Sequence, residues 1–484
     1  MYPKEQSFLV LGLSRSGTAS SLFLLKKGAQ VFIYDDVDSE TIRAKRNELE
    51  RLGAKCVKKE ELSKMVEICD VLLLSPGIPI DHPLAVAFKR NKKSVIGETE
   101  LAVRYFRGTS VAVTGTNGKT TTVSMIEKVL KEAGLDAYAC GNIGKPMVDV
   151  VDDKEEKLAV AEISSFQLET LNSFCPHIAV ILNVTEDHLN RHYNMENYVF
   201  LKRKLLKNLT EAEFAVLNFD DEIVRGFAEN AKARVVWFSM KERVSGAYLS
   251  GNDVYFHDEK ILCIKDLCID GIHNVQNVLA AVAVAKLLGV NTQTLADALV
   301  SFKGIRHRIE TVATVDDVTY IDDSKGTNVD ATLKAVACMK AETILLLGGK
   351  DKGYDYRKLF EGLKGSVVAC AVLYGENRFR LSDAARVAGF SKTVVCITFE
   401  HAVKIARLLA MKGQMVLLSP ASASFDEFGS YEERGERFAE MVLTYAKANN
   451  QESFVPLFDG VKGVDVAAES PSYSALEAHG EEAE

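Results

Sequence analysis

Residues 8–13, 31–34 and 71–74 are short apolar runs, each followed by a turn rich in glycine, proline or aspartate. Runs without polar alternation predict strands buried on both faces, as in a parallel sheet. Helical stretches of roughly 10–15 residues separate them, which predicts a doubly wound α/β unit over residues 1–97. The same alternation restarts at a strand over 110–113, a loop over 114–122, and a helix to Glu132 closed by Gly134. Further strands are expected over 158–163, 178–183 and 214–218, short ones across 235–269, and a helix over 273–288. A third α/β unit follows, with strands expected at 318–321, 343–347, 367–373 and 415–418. The expected domains are therefore 1–97, 98–304 and 305–450, and no repeat of about 20–50 residues is evident.

Residues 451–484 show no sustained periodicity, and serine, glycine, proline and acids dominate there. The expectation is an acidic, disordered tail. The 484 residues, at about 150 per domain, agree with three domains. With 47% apolar and 26% charged residues the composition is that of a soluble globular chain. The formal charge of −8 argues against a general nucleic-acid binder, which carries a basic stripe. Eight acids and one base fall within 451–484, so the preceding 450 residues are near −1. The nine cysteines include no CxxC pair and read as small buried hydrophobes in a reducing compartment. The first residues lack a basic n-region and a long apolar h-region, and the apolar helix over 278–290 is too short to span a bilayer. A cytoplasmic protein without membrane insertion is expected.

The strongest chemical signal is Gly115-Thr-Asn-Gly-Lys-Thr-Thr121, after a strand and before a helix. Backbone amides of such a loop, with a helix N-terminus behind them, hold phosphate oxygens. Lys119 would meet the terminal phosphates of ATP, and the Thr120 hydroxyl would reach Mg²⁺. Val113 stands where the common pattern has glycine, so this is a shortened phosphate loop. Gly12-Leu-Ser-Arg-Ser-Gly17, with Asp35 ending the next strand, is a degenerate dinucleotide fingerprint lacking its middle glycine. It reads either as a nucleotide pocket or as tight helix–strand packing. Glu162 and His188 follow two central strands, at the edge where such sheets bind ligands. Singly, each also reads as a turn acid or a hydrogen-bonded histidine, with Glu186 and Asp187 as solvated neighbours. Lys202, in the run Lys202-Arg203-Lys204, reads as part of a solvated or phosphate-attracting face.

Together Gly115–Thr121, Glu162–Glu169, Asn183–His188, His273-Asn274 and His307-Arg308 resemble the Mur ligases, ATP-dependent enzymes that build the peptide of bacterial peptidoglycan. Asp322-Asp-Ser-Lys-Gly-Thr-Asn328, Leu347-Gly-Gly-Lys-Asp-Lys352 and Ser419-Pro-Ala-Ser-Ala-Ser424 resemble the D-glutamate-adding branch. No Asp-Asn-Pro-Arg sequence of the diaminopimelate-adding branch occurs. The resemblance covers residues 7 to about 448. It implies an α/β fold of three domains: a Rossmann-like N-terminal domain for a UDP-sugar, a central P-loop ATPase-type domain, and a Rossmann-like C-terminal domain for D-glutamate.

The implied reaction joins D-glutamate to UDP-N-acetylmuramoyl-L-alanine through an acyl phosphate. By resemblance, Lys119, Glu162, His188, Lys202 and Lys352 are catalytic. Gly115, Thr116, Asn117, Gly118, Lys119, Thr120, Thr121, Asn274, Arg308, Asp323 and Lys325 bind ATP. One Mg²⁺ is expected at Thr120 and Glu162, and a second at His188 and a carbamylated Lys202, with Lys204 the alternative lysine. Ser16, Asp35, Gly77 and Asn142 are expected to contact the UDP-sugar, Thr327, Lys352, Ser424 and Tyr431 D-glutamate, and Ser164 and Gln167 are expected among the substrate-binding residues. Three ligands on separate units imply hinges near Glu98 and Gly304. A monomer is expected.

A folylpolyglutamate synthase-like ligase is the nearest alternative, but it needs no glycine loop in the first unit. An NAD-dependent oxidoreductase would leave the ATP loop unexplained, and a non-enzymatic ATP-binding protein would leave the glutamate pocket unexplained.

Overall fold

The computed structural model describes residues 5–151, 157–269, 271–351 and 353–449; Lys352 and the tail 451–484 lie outside them. Three sheets follow one another along the chain. The first has five parallel strands in the spatial order Lys55–Cys56, Gln30–Tyr34, Ser7–Leu11, Val71–Leu74, Ser94–Gly97. Its apolar runs are buried throughout, as strands covered by helices on both faces must be. The expected strand over 8–13 ends earlier, at Leu11, because Gly12 turns the chain with φ +88°.

The central sheet has nine strands. Gly108–Thr114 lies between Lys157–Glu162 and Ile178–Ile181, and all three are parallel. The far edge, from Gly246–Ser250 through Asp253–Phe256 to Glu259–Cys263, turns antiparallel and forms the short-stranded region. The third sheet has six strands, parallel except for Glu310–Val315, which pairs antiparallel with Val318–Asp322. That strand went unforeseen because its sequence, Glu-Thr-Val-Ala-Thr-Val, is half polar and only one of its six residues is buried. The three α/β units match the expected fold class.

One apolar cluster joins the first sheet to the central one through Leu101, Ala102, Met147 and Val148. The helix Glu98–Val103 is tied to the same side by its acids. Val148 N–H donates to Glu98 Oε1 (2.7 Å), and the Asn172 and Ser173 amides donate to Glu100 Oε2 (2.7 and 2.9 Å). Burial pushes the Glu98 carboxyl up to about 7. Residues 98 and 100 are therefore hydrogen-bonded to the central unit.

In the third unit, the buried His307 Nδ1 pairs with Asp322 Oδ2 at 2.7 Å, and this bond raises the imidazole's pKa. Helix Tyr431–Asn449 presses against the pair: a Cβ on Gly435 would lie 2.1 Å from His307 Nδ1. Lys325 N–H donates to His307 O (3.1 Å), so the pair fixes both Arg308 and Lys325. No helix among the described residues is long and apolar enough to cross a membrane.

Candidate active site

Strand Gly108–Thr114 delivers the phosphate loop, and helix Lys119–Glu132 leaves it. Gly118 is required twice: its φ is +88°, and a Cβ there would meet Asn277 Oδ1 at 2.4 Å. Residues 183–185 brace the loop from below. Thr116 N–H donates to Asn183 O (3.0 Å), Asn117 N–H to Asn183 Oδ1 (2.9 Å), and Asn183 Nδ2 to Asn117 O (3.1 Å). Lys119 curls back, donating from Nζ to Gly115 O (2.9 Å) and Thr116 O (2.7 Å). Burial lowers its pKa, while Glu162 and Asp187 pull the other way.

Thr120 Oγ1 is the centre of the arrangement. It donates to Glu162 Oε2 (2.8 Å) and accepts from Arg308 of the third unit (3.1 Å). Asn142 Nδ2 donates to the other Glu162 oxygen (2.7 Å), which places this exposed asparagine at the central site. Arg308 Nε is buried with no hydrogen-bond partner among the described residues, an arrangement that suits an anion. Thr120 and Glu162 present the hard oxygen donors that Mg²⁺ takes. A cavity of about 710 Å³ gathers Thr116–Thr121, Asn142, Glu162 and His188 with Asn274, Arg308, Asp323, Lys325 and Thr327.

Of the two acids read as solvated neighbours of His188, Asp187 differs and Glu186 does not. Asp187 is buried, not solvated, and its Oδ2 lies 3.5 Å from His188 Nε2; Glu186 is exposed and faces Lys358 at 3.7 Å. His188 has φ +54°, a strained conformation for a non-glycine residue and a frequent mark of functional sites. Lys202 does not lie on a solvated face. It is 1% exposed, and its Nζ donates to Gly115 O (2.8 Å) and Thr114 Oγ1 (3.1 Å). Burial, then the neighbouring Lys119, lowers its pKa well below the ordinary lysine value. Lys204 points elsewhere, to Leu168 O (2.7 Å) and Glu169 O (3.1 Å), with a pKa lowered to about 8 by burial.

In the third unit, burial raises Asp323 to about 7 although Ser419 Oγ donates to it at 2.6 Å. Lys325 Nζ sits 3.6 Å from the Tyr431 ring centroid, and burial lowers it to about 8. Ser424 is buried, and Tyr431 O accepts from Ser324 Oγ (2.8 Å); neither lines the large cavity. Lys352 is outside the described residues.

The first unit carries Ser16, Asp35 and Gly77 apart from this cavity. Asp35 Oδ2 accepts the Leu13 N–H of the glycine loop (2.5 Å), and its Oδ1 accepts the Val37 N–H of its own turn (2.8 Å). A Cβ on Gly17 would lie 1.8 Å from Gly12 O, so tight packing is part of that loop's design. Ser164 and Gln167 form the capping box of helix Ser165–Thr170, and Gln167 Nε2 reaches Thr99 Oγ1 (3.0 Å).

Sequence reasoning passed over Asn277, which lines the cavity three residues after Asn274 on the same helix face. It also passed over Arg191 and His192, which meet on Glu169. Their signal was only a basic pair following His188.

Residues 113–285 match the Mur ligase middle domain, and residues 307–422 match the Mur ligase glutamate ligase domain. The UDP-N-acetylmuramoylalanine–D-glutamate ligase of Pelotomaculum thermopropionicum is 42% identical over 456 residues, covering 92% of this chain and 98% of the relative. The Clostridioides difficile enzyme of the same name is 38% identical over 445 residues, covering 91% and 98%. Among solved structures, the UDP-N-acetylmuramate-alanine ligase of Thermotoga maritima aligns with a TM-score of 0.58 at 19% identity, over 91% of this chain and 99% of that one. The MurF ligase of the same organism, in complex with ADP, gives 0.58 at 17% identity, over 93% and 98%, a likeness of fold.

Proposed function

The chain belongs to the Mur ligase family, and from that premise we propose that the cavity around Thr120 is where its ligation chemistry occurs. The protein is an ATP-dependent ligase that adds D-glutamate to UDP-N-acetylmuramoyl-L-alanine in peptidoglycan synthesis, with ATP and Mg²⁺. A folylpolyglutamate synthase-like activity is not favoured, because relatives bearing the D-glutamate ligase name align over nine-tenths of the chain, first unit included.

The observation that carries the site is the meeting of two domains at one hydroxyl. Thr120 Oγ1 is held by Glu162 from the central unit and by Arg308 from the third. A carboxylate is a poor acyl donor, so its oxygen first attacks the γ-phosphorus of ATP and ADP leaves. The D-glutamate nitrogen then attacks the acyl carbon of that acyl phosphate. The resulting tetrahedral centre expels phosphate, and the ammonium proton is lost. Charge gathers on phosphoryl oxygens in both steps, so catalysis rests on positioning and fixed cations. Lys119 releases its loop carbonyls to meet the γ-phosphate, and Arg308 brings its unpartnered Nε to the same anion. Asn274, Asp323 and Lys325 complete the ATP site. Thr327, Ser424, Tyr431 and Lys352 form the D-glutamate site, Ser16, Asp35, Gly77 and Asn142 serve the UDP-sugar, and Ser164 and Gln167 are among the substrate-binding residues.

Thr120 and Glu162 would hold one Mg²⁺, and His188 with a modified Lys202 a second. Bound there, the cations neutralise the transferring phosphoryl group. An ammonium has no lone pair to give a metal, so Lys202 can serve only after carbamylation. Its neutral amine forms an N–C bond to CO₂, one C=O electron pair moves to oxygen, and a proton leaves the nitrogen. The buried, cation-crowded position of Lys202 favours that neutral amine, and it supports Lys202 over Lys204.

The test is phosphate release with UDP-N-acetylmuramoyl-L-alanine and ATP while the amino acid is varied. D-Glutamate should drive release. Equal release with L-glutamate, L-alanine or no acceptor would overturn the assignment.

A further inference from the structure

His188 begins a one-turn helix, Leu189–His192, that ends at Tyr193. Both flanking residues have positive φ, +54° at His188 and +71° at Tyr193. Non-glycine residues hold such conformations only where their surroundings impose them. Contacts from another domain meet this turn at two residues. Arg191, between them, donates from one guanidinium nitrogen to Ile78 O (2.8 Å) and from another to Gly77 O (3.2 Å), with Pro76 O at 3.5 Å. The Tyr193 hydroxyl bonds the Asp81 carboxylate in the same stretch of the first domain.

On its own side, Arg191 is clamped by Glu169, Nε to Oε1 (2.9 Å) and Nη2 to Oε2 (2.6 Å). His192 closes the cluster, with Nδ1 3.3 Å from Glu169 and Nε2 2.9 Å from Ser165 Oγ. The Phe166 ring lies 5.0 Å from the guanidinium carbon. A planar fork held by a bidentate carboxylate is a rigid device for reading several carbonyls at once. The loop it reads is also turned by Ile78 N–H to Ser75 O (2.9 Å), and Gly77 at its tip is exposed. Because a peptide's N–H opposes its C=O, turning the Pro76 and Gly77 carbonyls toward the fork sets which way those peptides present their N–H groups.

We propose that Arg191 is a positioning residue that sets the Pro76–Ile78 loop against the central domain, so that the nucleotide-sugar substrate is delivered in register with His188. This rests on the assignment of Gly77 to the UDP-sugar site. Arg191 touches no reacting atom. It acts by joining the loop that holds the substrate to the short helix that begins at His188.

The experiment compares the parent protein with Arg191→Ala and Arg191→Lys, titrating UDP-N-acetylmuramoyl-L-alanine and, separately, ADP by calorimetry. Arg191→Ala should weaken UDP-N-acetylmuramoyl-L-alanine at least tenfold while ADP stays within twofold. Arg191→Lys should remain at least fivefold weak, since an ammonium's three donors cannot reproduce the planar fork's four contacts to Glu169, Gly77 O and Ile78 O. Unchanged affinity in Arg191→Ala, full recovery by Arg191→Lys, or a parallel loss of ADP binding would each overturn the proposal. If Arg191→Ala does not fold, Arg191→Lys, which keeps an ion partner for Glu169, decides by its own fivefold threshold with ADP as the control. Failure of the parent protein to bind UDP-N-acetylmuramoyl-L-alanine would instead sink the functional reading beneath it.

Discussion

Replacing Lys202 by alanine tests the least ordinary part of the site. The change removes three buried methylenes, worth about 2–3 kcal/mol of transfer free energy at ~0.8 kcal/mol each. It strands no acceptor, because Gly115 O keeps Lys119 Nζ (2.9 Å) and Thr114 Oγ1 keeps its bond to Ile163 O (2.7 Å). Relief of the buried amine's desolvation offsets part of the loss, so the variant should fold with a thermal midpoint lowered by a few degrees. Turnover should fall far more. Loss of a metal ligand is expected to cost at least about 100-fold, equal to about 2.7 kcal/mol of transition-state stabilisation. The reason lies in the amine's protonation. An ordinary lysine is neutral in about one molecule per thousand near pH 7.4, and each unit of lowering raises that tenfold. Burial and the neighbouring Lys119 lower Lys202 well below the ordinary lysine value, which raises its neutral fraction. The assay is phosphate release by Lys202→Ala with and without acetate or propionate, whose carboxylate fits the space vacated by the stem. Recovery by propionate but not by propionamide is the expected pattern. Unchanged turnover without any additive would refute the assignment, and equal recovery by the amide would reduce it to cavity filling.

Two further outcomes follow from particular contacts. Gly17→Ala would set a Cβ 1.8 Å from Gly12 O, so the glycine loop must open by more than an ångström. The cost should be about 1–3 kcal/mol, seen as a lower thermal midpoint and a raised KM for the UDP-sugar substrate, and a variant as stable as its parent would show that the close approach is not needed. Asp323→Asn should raise the midpoint at pH 8 and raise it by less than half as much at pH 5. The buried carboxyl titrates at about 7 when folded against 3.8 as its ordinary value, so the parent's stability falls as pH rises between those limits while the amide's does not. Equal shifts at both pH values would contradict this.

Much of the molecule was legible in the sequence because its strands are uninterrupted apolar runs and its loops carry glycines where φ must be positive. Residues 71–74, 214–218 and 415–418 are strands where the pattern places them, and the phosphate loop sits between strand and helix as its spacing demands. The half-polar strand Glu310–Val315 escaped notice because its stability comes from pairing with Val318–Asp322, a property of two segments and not of one. Lys202 shows the same limit most clearly. A run of three bases reads as a solvated face, and nothing local says that the first of them turns inward beneath residues 114–115, roughly ninety positions earlier in the chain.

The sequence by itself determined the class of chemistry, since a glycine–lysine–threonine loop can be read wherever backbone amides and one hydroxyl must meet a phosphate. It also determined where the excess negative charge lies, beyond residue 450, leaving a near-neutral body for anionic substrates. The tertiary structure decided which groups meet. It brought Arg308 to Thr120 across 188 residues, buried Asp187 beside His188, and clamped Arg191 between Glu169 and the first domain's loop. Arg308 and Arg191 are joined to residues far from them in sequence, and burial is a property of the folded neighbourhood that no local run of residues encodes.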